Sequence, residues 1–155
     1  MEQQQAFLDS LSTLLDKINW LDHAVLAEQL ADFKPAEVHT IAFIGGHQDA
    51  NVTAIANGLY VTRGAVSKMT RRLITRDLIS RYQNPDNQKE VYFRLTSKGE
   101  AVRATHARLH QQFNQRDAPV FEQADPEQLQ QTLAFLNAYN QFLDQQISRD
   151  KTIES

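Results

Sequence analysis

The segment from Val61 to Leu78, VTRGAVSKMTRRLITRDL, constrains the fold most because it places two opposite surfaces on one helical period. At about 100° per residue, Val66, Met69 and Leu73 fall on one arc. The opposite arc carries small and basic residues, namely Arg63, Gly64, Ser67, Lys68, Arg71 and Thr75. Thr62 is a good N-cap, so the pattern predicts a helix that begins at Arg63, packs one face on a core and presents the other to an anion.

The charged residues of this helix are all basic. A solvated helix face normally mixes acids with bases, but residues 63–76 contain no acid. The wider segment 51–99 holds nine Lys and Arg residues against three acids, a net charge of +6, although the whole chain carries −3. Positive charge is therefore concentrated in one third of the chain, which is typical of a surface that binds a polyanion.

The 155 residues are enough for one domain with a sizeable core. The chain has no cysteine, which excludes disulfides and thiolate metal ligands. No apolar stretch approaches the roughly 20 residues of a membrane span, and the N-terminal residues lack the pattern of a signal peptide. We therefore expect a cytoplasmic protein.

The first third of the chain predicts three helices. Residues 6–30 carry a seam of apolar residues at alternating spacings of four and three, and apolar residues off this seam suggest that a partner chain covers a second side. Lys34–Gly46 has Pro35 at the first helical position. Asn51 can cap a short helix that Gly58 ends, and a tight turn then leads to the basic helix. This order predicts a helix-turn-helix.

The remainder predicts a hairpin and two more helices. Ile79–Gln83 and Val91–Leu95 read as strands joined by a polar tip at residues 84–90, with Val91, Phe93 and Leu95 on one face. A helix over Thr96–Gln115 is expected to be broken by Pro119, and Asp125 is expected to cap the last helix.

The order of these elements, with TRGAVSKMTRRLITRDLI before the hairpin and FRLTSKGEA after it, resembles the MarR family of winged-helix regulators over roughly residues 5–147. The resemblance implies a mainly α fold with a small β-hairpin wing, a winged helix-turn-helix at residues 35–99, and helical dimerisation regions at residues 1–34 and 100–155. It also implies a homodimer that binds double-stranded DNA, usually as a repressor that a small ligand releases.

The DNA-binding residues expected on this basis lie on the basic helix and the wing: Thr62, Arg63, Gly64, Ser67, Lys68, Arg71, Arg72, Arg81, Gln88, Lys89 and Arg94.

Two positions depart from the family pattern. Asp77 stands where the family commonly has glycine, and it can still adopt the left-handed conformation that ends a helix. Asn87-Gln88-Lys89 stands at the wing tip, where Asp-Arg-Arg is common, which weakens minor-groove reading by the wing.

Two other classes of function compete with this interpretation. A metal-binding protein or metalloenzyme would use His39, His106 and His110, of which the last two lie four residues apart on one helix face. Asp22, His23 or Glu28 could add a fourth ligand. The chain lacks a His-Glu-x-x-His motif and a nucleophile elbow, so we expect no enzyme and no required cofactor. A purely structural interaction protein would leave the basic segment unexplained. An organic effector, aromatic or anionic, is expected ahead of zinc.

Overall fold

The computed structural model describes residues 1–153, with side chains described through residue 149. Six helices and one hairpin follow each other along the chain: α1 (Glu2–Gln29), α2 (Pro35–Gly46), α3 (Val52–Leu59), α4 (Arg63–Thr75), β1 (Ile79–Asn84), β2 (Asn87–Leu95), α5 (Ser97–Glu122) and α6 (Pro126–Ile153). Two compact units divide within α5, after Phe113. Among the described residues, no helix is both long and apolar enough to cross a membrane.

The first unit contains the core. Its fully buried side chains include Ile41 of α2, Ile55 of α3, Leu73 of α4 and Ile79 of β1. Leu109 of α5 is also fully buried. These residues lie at the apolar positions of their elements, because burial of each large aliphatic side chain contributes roughly 1.5–3 kcal/mol. The basic helix is thereby held on its apolar face, and its other face is left to solvent.

The predicted helix starts at Pro35, Val52 and Arg63 are confirmed. The predicted end of α3 at Gly58 is wrong, because the helix continues to Leu59 and Tyr60 adopts the left-handed conformation at its C-cap. Gly58 has a packing role instead, since a Cβ there would overlap the ring of Phe43.

Pro119 lies inside α5 and does not end it, so the predicted break is wrong. The fixed φ of proline is helical, and the residue removes only one backbone donor, which the flanking turns of a long helix can tolerate. The last helix begins at Pro126, and the side chain of Asp125 accepts the N–H of Glu127 at 2.9 Å. The capping role predicted for Asp125 is confirmed.

The hairpin is longer than predicted and its loop is shorter. The strands pair antiparallel from Ile79 opposite Leu95 to Asn84 opposite Asn87, so only two residues lie between the strands, and the register shifts between Tyr82 and Asn84. Phe93 is buried, whereas Val91 is 38% exposed, and the shared face predicted for Val91, Phe93 and Leu95 stays a prediction. The shifted register lies near the tip, where the hairpin extends beyond the core.

Candidate nucleic-acid interface

The start of α4 is fixed by its cap. The Thr62 hydroxyl accepts the backbone N–H of Ala65 at 3.1 Å, as the sequence predicts. Val66, Thr70 and Leu73 are buried on the inner face. The first turn of α4 carries no acid, and the N-terminus of a helix favours an anion such as phosphate.

The outer face of α4 collects most of the predicted contacts. Arg63, Gly64, Lys68 and Arg71 are exposed, and Ser67 is half-buried. A Cβ at Gly64 would meet nothing within 4 Å, so this glycine is not required for packing and leaves room for a ligand surface to approach. The side chain of Arg71 lies back along the helix, with Nε donating to the Ser67 carbonyl at 3.2 Å. One helix face thus presents cations and small polar groups together.

Arg72 differs from the other predicted contacts on α4. Its Nε lies 3.5 Å from Oε1 of Glu37, although its side chain is 48% exposed. Arg76, directly after the helix, also binds Glu37, with Nη1 donating to Oε2 at 3.2 Å. These two arginines hold α4 against α2, and a contact of Arg72 with DNA stays a prediction. The sequence analysis did not predict a role for Glu37. Its position, third in a helix that begins with proline, is one where a glutamate often caps the helix.

The wing carries the remaining predicted contacts, Arg81, Gln88, Lys89 and Arg94, all of which are exposed. Arg94 is partly held, because its guanidinium lies 5.3 Å from the centroid of the Tyr82 ring and its Nε donates to Ser80 Oγ at 3.4 Å. Gln88 and Lys89 lie on β2 close to the two-residue loop. The wing therefore extends a second cationic surface from the same lobe.

The base of the wing is tied to the loop between α2 and α3. The Tyr82 hydroxyl donates to Oδ1 of Asp49 at 2.6 Å and accepts the Asp49 N–H at 3.2 Å. The hydrogen bond to Asp49 raises the pKa of the Tyr82 hydroxyl. Ala50 forms an isolated antiparallel bridge with Phe93. Asp49 has a positive φ, and no local sequence signal connected it with Tyr82.

A cleft of about 320 Å³ lies between the end of α1, the start of α2 and α5. Its wall is mainly apolar and includes Leu26, Ala27, Leu30, Phe33 and Val38. The polar side chains that line it are His23, Lys34, His39 and His106. Burial, together with the nearby His110 and His39 side chains, lowers the pKa of His106 to about 4. The His106 imidazole is therefore neutral at physiological pH.

The three predicted metal ligands are close to one another. The ring centroids of His39 and His106 are 5.9 Å apart, and the Nε2 atoms of His106 and His110 lie 2.9 Å apart. At this distance one neutral ring donates to the other, so these two nitrogens are directed at each other. Within the described part of the chain, no group of three or more His, Cys, Asp or Glu residues is placed to hold a metal ion. The metal hypothesis gains no support from this geometry.

A capped basic helix after a short helix, followed by a hairpin that pairs with the preceding loop, defines a winged helix-turn-helix. The sequence profile described as the MarR family matches residues 33–91, which run from the start of α2 into β2. Over these residues the chain is similar to the MarR family. The HTH-type transcriptional regulator YhjH of Bacillus subtilis (strain 168) is 34% identical over 93 residues, which are 60% of this chain and 53% of the relative. The chain thus spans about half the length of that relative.

Solved structures share the fold over nearly the whole chain. FabT of Streptococcus pneumoniae in complex with DNA has a TM-score of 0.77 and 22% identity, with 91% of this chain and 97% of FabT covered. MarR of Staphylococcus aureus in complex with salicylate and kanamycin has a TM-score of 0.73 and 20% identity, with 92% and 93% covered. The predicted fold, mainly α with a winged helix-turn-helix, is confirmed.

Proposed function

We propose that this chain is a cytoplasmic, DNA-binding transcriptional regulator and not an enzyme. It acts as a homodimer on a pseudo-palindromic operator and represses transcription until a small organic ligand releases it. FabT and MepR, two structural neighbours, are described in complexes with DNA, which supports the same use of the fold here.

The observation that carries the proposal is the outer face of α4. Arg63, Lys68 and Arg71 are exposed there, and the helix carries no acid. Basic residues at this position of a helix-turn-helix contact phosphates and base edges in the major groove. Each phosphate contact releases counterions, so the affinity should fall steeply with salt.

Dimer formation is supported by exposed apolar side chains, which would be costly to leave in water. On α1 these are Leu14, Leu15, Trp20 and Leu21, of which Trp20 is 77% exposed. The second unit separately exposes Leu133, Phe135, Phe142 and Leu143 on α6. Symmetric pairing of two copies would cover such faces and present two equivalent recognition helices. The two half-sites should then lie about 10 bp apart.

The ligand proposal rests on the cleft at the start of α2. Its volume of about 320 Å³ and its apolar wall suit an aromatic molecule, and Lys34 at its rim suits an anion. A thermal-shift screen of aromatic carboxylates tests this, with Ala27→Trp as the variant that fills the cleft from α1. A carboxylate that stabilises the wild type and the variant equally does not bind in this cleft.

The DNA-binding proposal is tested by selecting bound sites from random duplex DNA and measuring affinity for the selected duplex over a salt series. Lys68→Gln should reduce the salt slope by about one unit, because one phosphate contact is lost. Arg103→Gln, which removes a cation of an exposed ion pair on α5, is the control and should change neither affinity nor slope. Selection of no duplex, or equal behaviour of both variants, would refute the assignment of α4.

A further inference from the structure

The loop between α1 and α2, residues 30–34, contacts both the cleft and the end of the recognition helix. Phe33 and Lys34 line the cleft. Arg76 packs on the same loop, because its guanidinium carbon lies 4.5 Å from the centroid of the Phe33 ring and Nη2 donates to the Asp32 carbonyl at 3.0 Å. One aromatic ring therefore contributes to the cleft wall and also supports the residue that follows α4.

Glu37 of α2 binds both this loop and Arg76. Its side chain is 3% exposed, and Oε2 accepts both the Lys34 N–H at 2.8 Å and Nη1 of Arg76 at 3.2 Å. A buried carboxylate cannot lose its partners without a large desolvation cost. The Glu37 carboxylate thus binds both the start of α2 and the residue that follows α4. If Lys34 moves, either Arg76 moves with it or one of the two hydrogen bonds to Glu37 breaks.

We propose that Arg76 is a positioning residue that transmits occupancy of the cleft to the recognition helix, through Phe33, the Asp32 carbonyl and Glu37. The inference rests on the proposed function and names the regulation of its ligand site. An occupant that displaces the Phe33 ring removes the surface on which the Arg76 guanidinium lies. Because α4 is 13 residues long, or about 20 Å, a tilt of about 3° from its Arg76 end moves Arg63 by about 1 Å.

Such a displacement changes DNA affinity only if the cleft occupant favours one position of α4 over the other. Arg76 suits this role because its planar guanidinium makes three contacts at once, with a carbonyl, a carboxylate and a ring. A lysine at this position would keep the positive charge near Glu37 but could not keep all three contacts.

The test does not depend on knowing the natural ligand. Since the chain has no cysteine, Ala27→Cys introduces a unique thiol on the α1 side of the cleft. Alkylation of this thiol with N-phenylmaleimide places a covalent aromatic occupant there. Affinity for the selected duplex is measured before and after alkylation, in backgrounds with Arg76, Arg76→Lys and Arg76→Gln. Ala104→Cys, exposed on α5 and outside the cleft lining, is the matched control.

With Arg76 present, alkylation at position 27 should change the dissociation constant about tenfold or more, and in both Arg76 variants by less than about twofold. Alkylation at position 104 should have no effect in any background. An equal change with and without Arg76 would overturn the proposal, as would no change in the Arg76 background. Arg76→Lys keeps the test valid if Arg76→Gln fails to fold.

A second readout separates this inference from the proposed function. Amide hydrogen exchange over residues 72–78 is compared before and after alkylation without any DNA. Faster exchange in the Arg76 background, and unchanged exchange in Arg76→Lys, would support the coupling even if no duplex were selected. Unchanged exchange in all backgrounds would refute the coupling, whether or not the protein binds DNA.

Discussion

Replacing Glu37 with glutamine tests whether the buried carboxylate, and not apolar packing alone, holds α4 against α2. The substitution keeps the shape of the side chain and one carbonyl oxygen, but it removes the charge and directs an amide N–H toward a donor. Hydrogen bonds to charged groups contribute roughly 1.5–3 kcal/mol each. Glu37 accepts two of them at Oε2, from Lys34 and Arg76. A glutamine oxygen placed there keeps both bonds without the charge, and its amide N–H group then faces Arg72.

The cost is limited by the exposure of the arginines. The side chains of Arg76 and Arg72 are 33% and 48% exposed, so the released guanidinium groups regain contact with water. We therefore expect Glu37→Gln to lower the free energy of unfolding by about 2 kcal/mol. Arg72→Gln should cost less than about 1 kcal/mol, because this pair is longer and more exposed.

Urea unfolding followed by far-UV circular dichroism, at one fixed protein concentration, measures both values. A loss of about 2 kcal/mol corresponds to a midpoint shift of about 1 M for a typical urea dependence of 1–3 kcal/mol per M. The reasoning would be refuted if Glu37→Gln unfolded within about 0.5 kcal/mol of the wild type. A larger loss for Arg72→Gln than for Glu37→Gln would refute it as well.

Three further predictions concern other parts of the chain. Gly99→Ala should destabilise the protein by about 1–3 kcal/mol in the same assay, because its Cβ would overlap the Leu78 carbonyl, whereas Gly64→Ala should be tolerated. Wild-type stability should fall as the pH drops from 6.5 to about 4, because the lowered pKa of His106 makes the unfolded chain bind this proton first. His106→Gln should weaken that pH dependence, and an unchanged difference between pH 7 and pH 4.5 would contradict the shift. Trp20 is the single tryptophan, so its emission should shift to longer wavelength when a dimer is diluted to monomers, and constant emission across dissociation would show that no partner covers it.

Local chemistry made much of the winged helix-turn-helix predictable. Thr62 and Asn51 cap their helices through their own side chains, and Pro35 begins α2, so each start depends only on residues within one turn. The one-signed outer face of α4 is likewise a property of one helical period. Asp77 has a φ of 56° and ends the basic helix region in the left-handed conformation that was expected of it.

The errors arose where tertiary packing outweighs local preference. Gly58 was expected to end α3, but it packs against the Phe43 ring within the helix, and Tyr60 adopts the left-handed conformation instead. Pro119 was expected to break α5, although a long helix tolerates the loss of one donor. Glu37 was missed because its partner Arg76 lies 39 residues away, and no periodicity reports such a pair.

The bond from the Phe93 N–H to the Ala50 carbonyl, 2.8 Å long, closes the stretch of chain that contains α3, α4 and β1 into a ring. Closing so long a stretch early in folding would cost conformational entropy before other contacts repay it. The short helices are therefore expected to form first, and the hairpin to dock last. Because this bond joins the wing to the loop before α3, local opening of the wing is expected to release that loop as well.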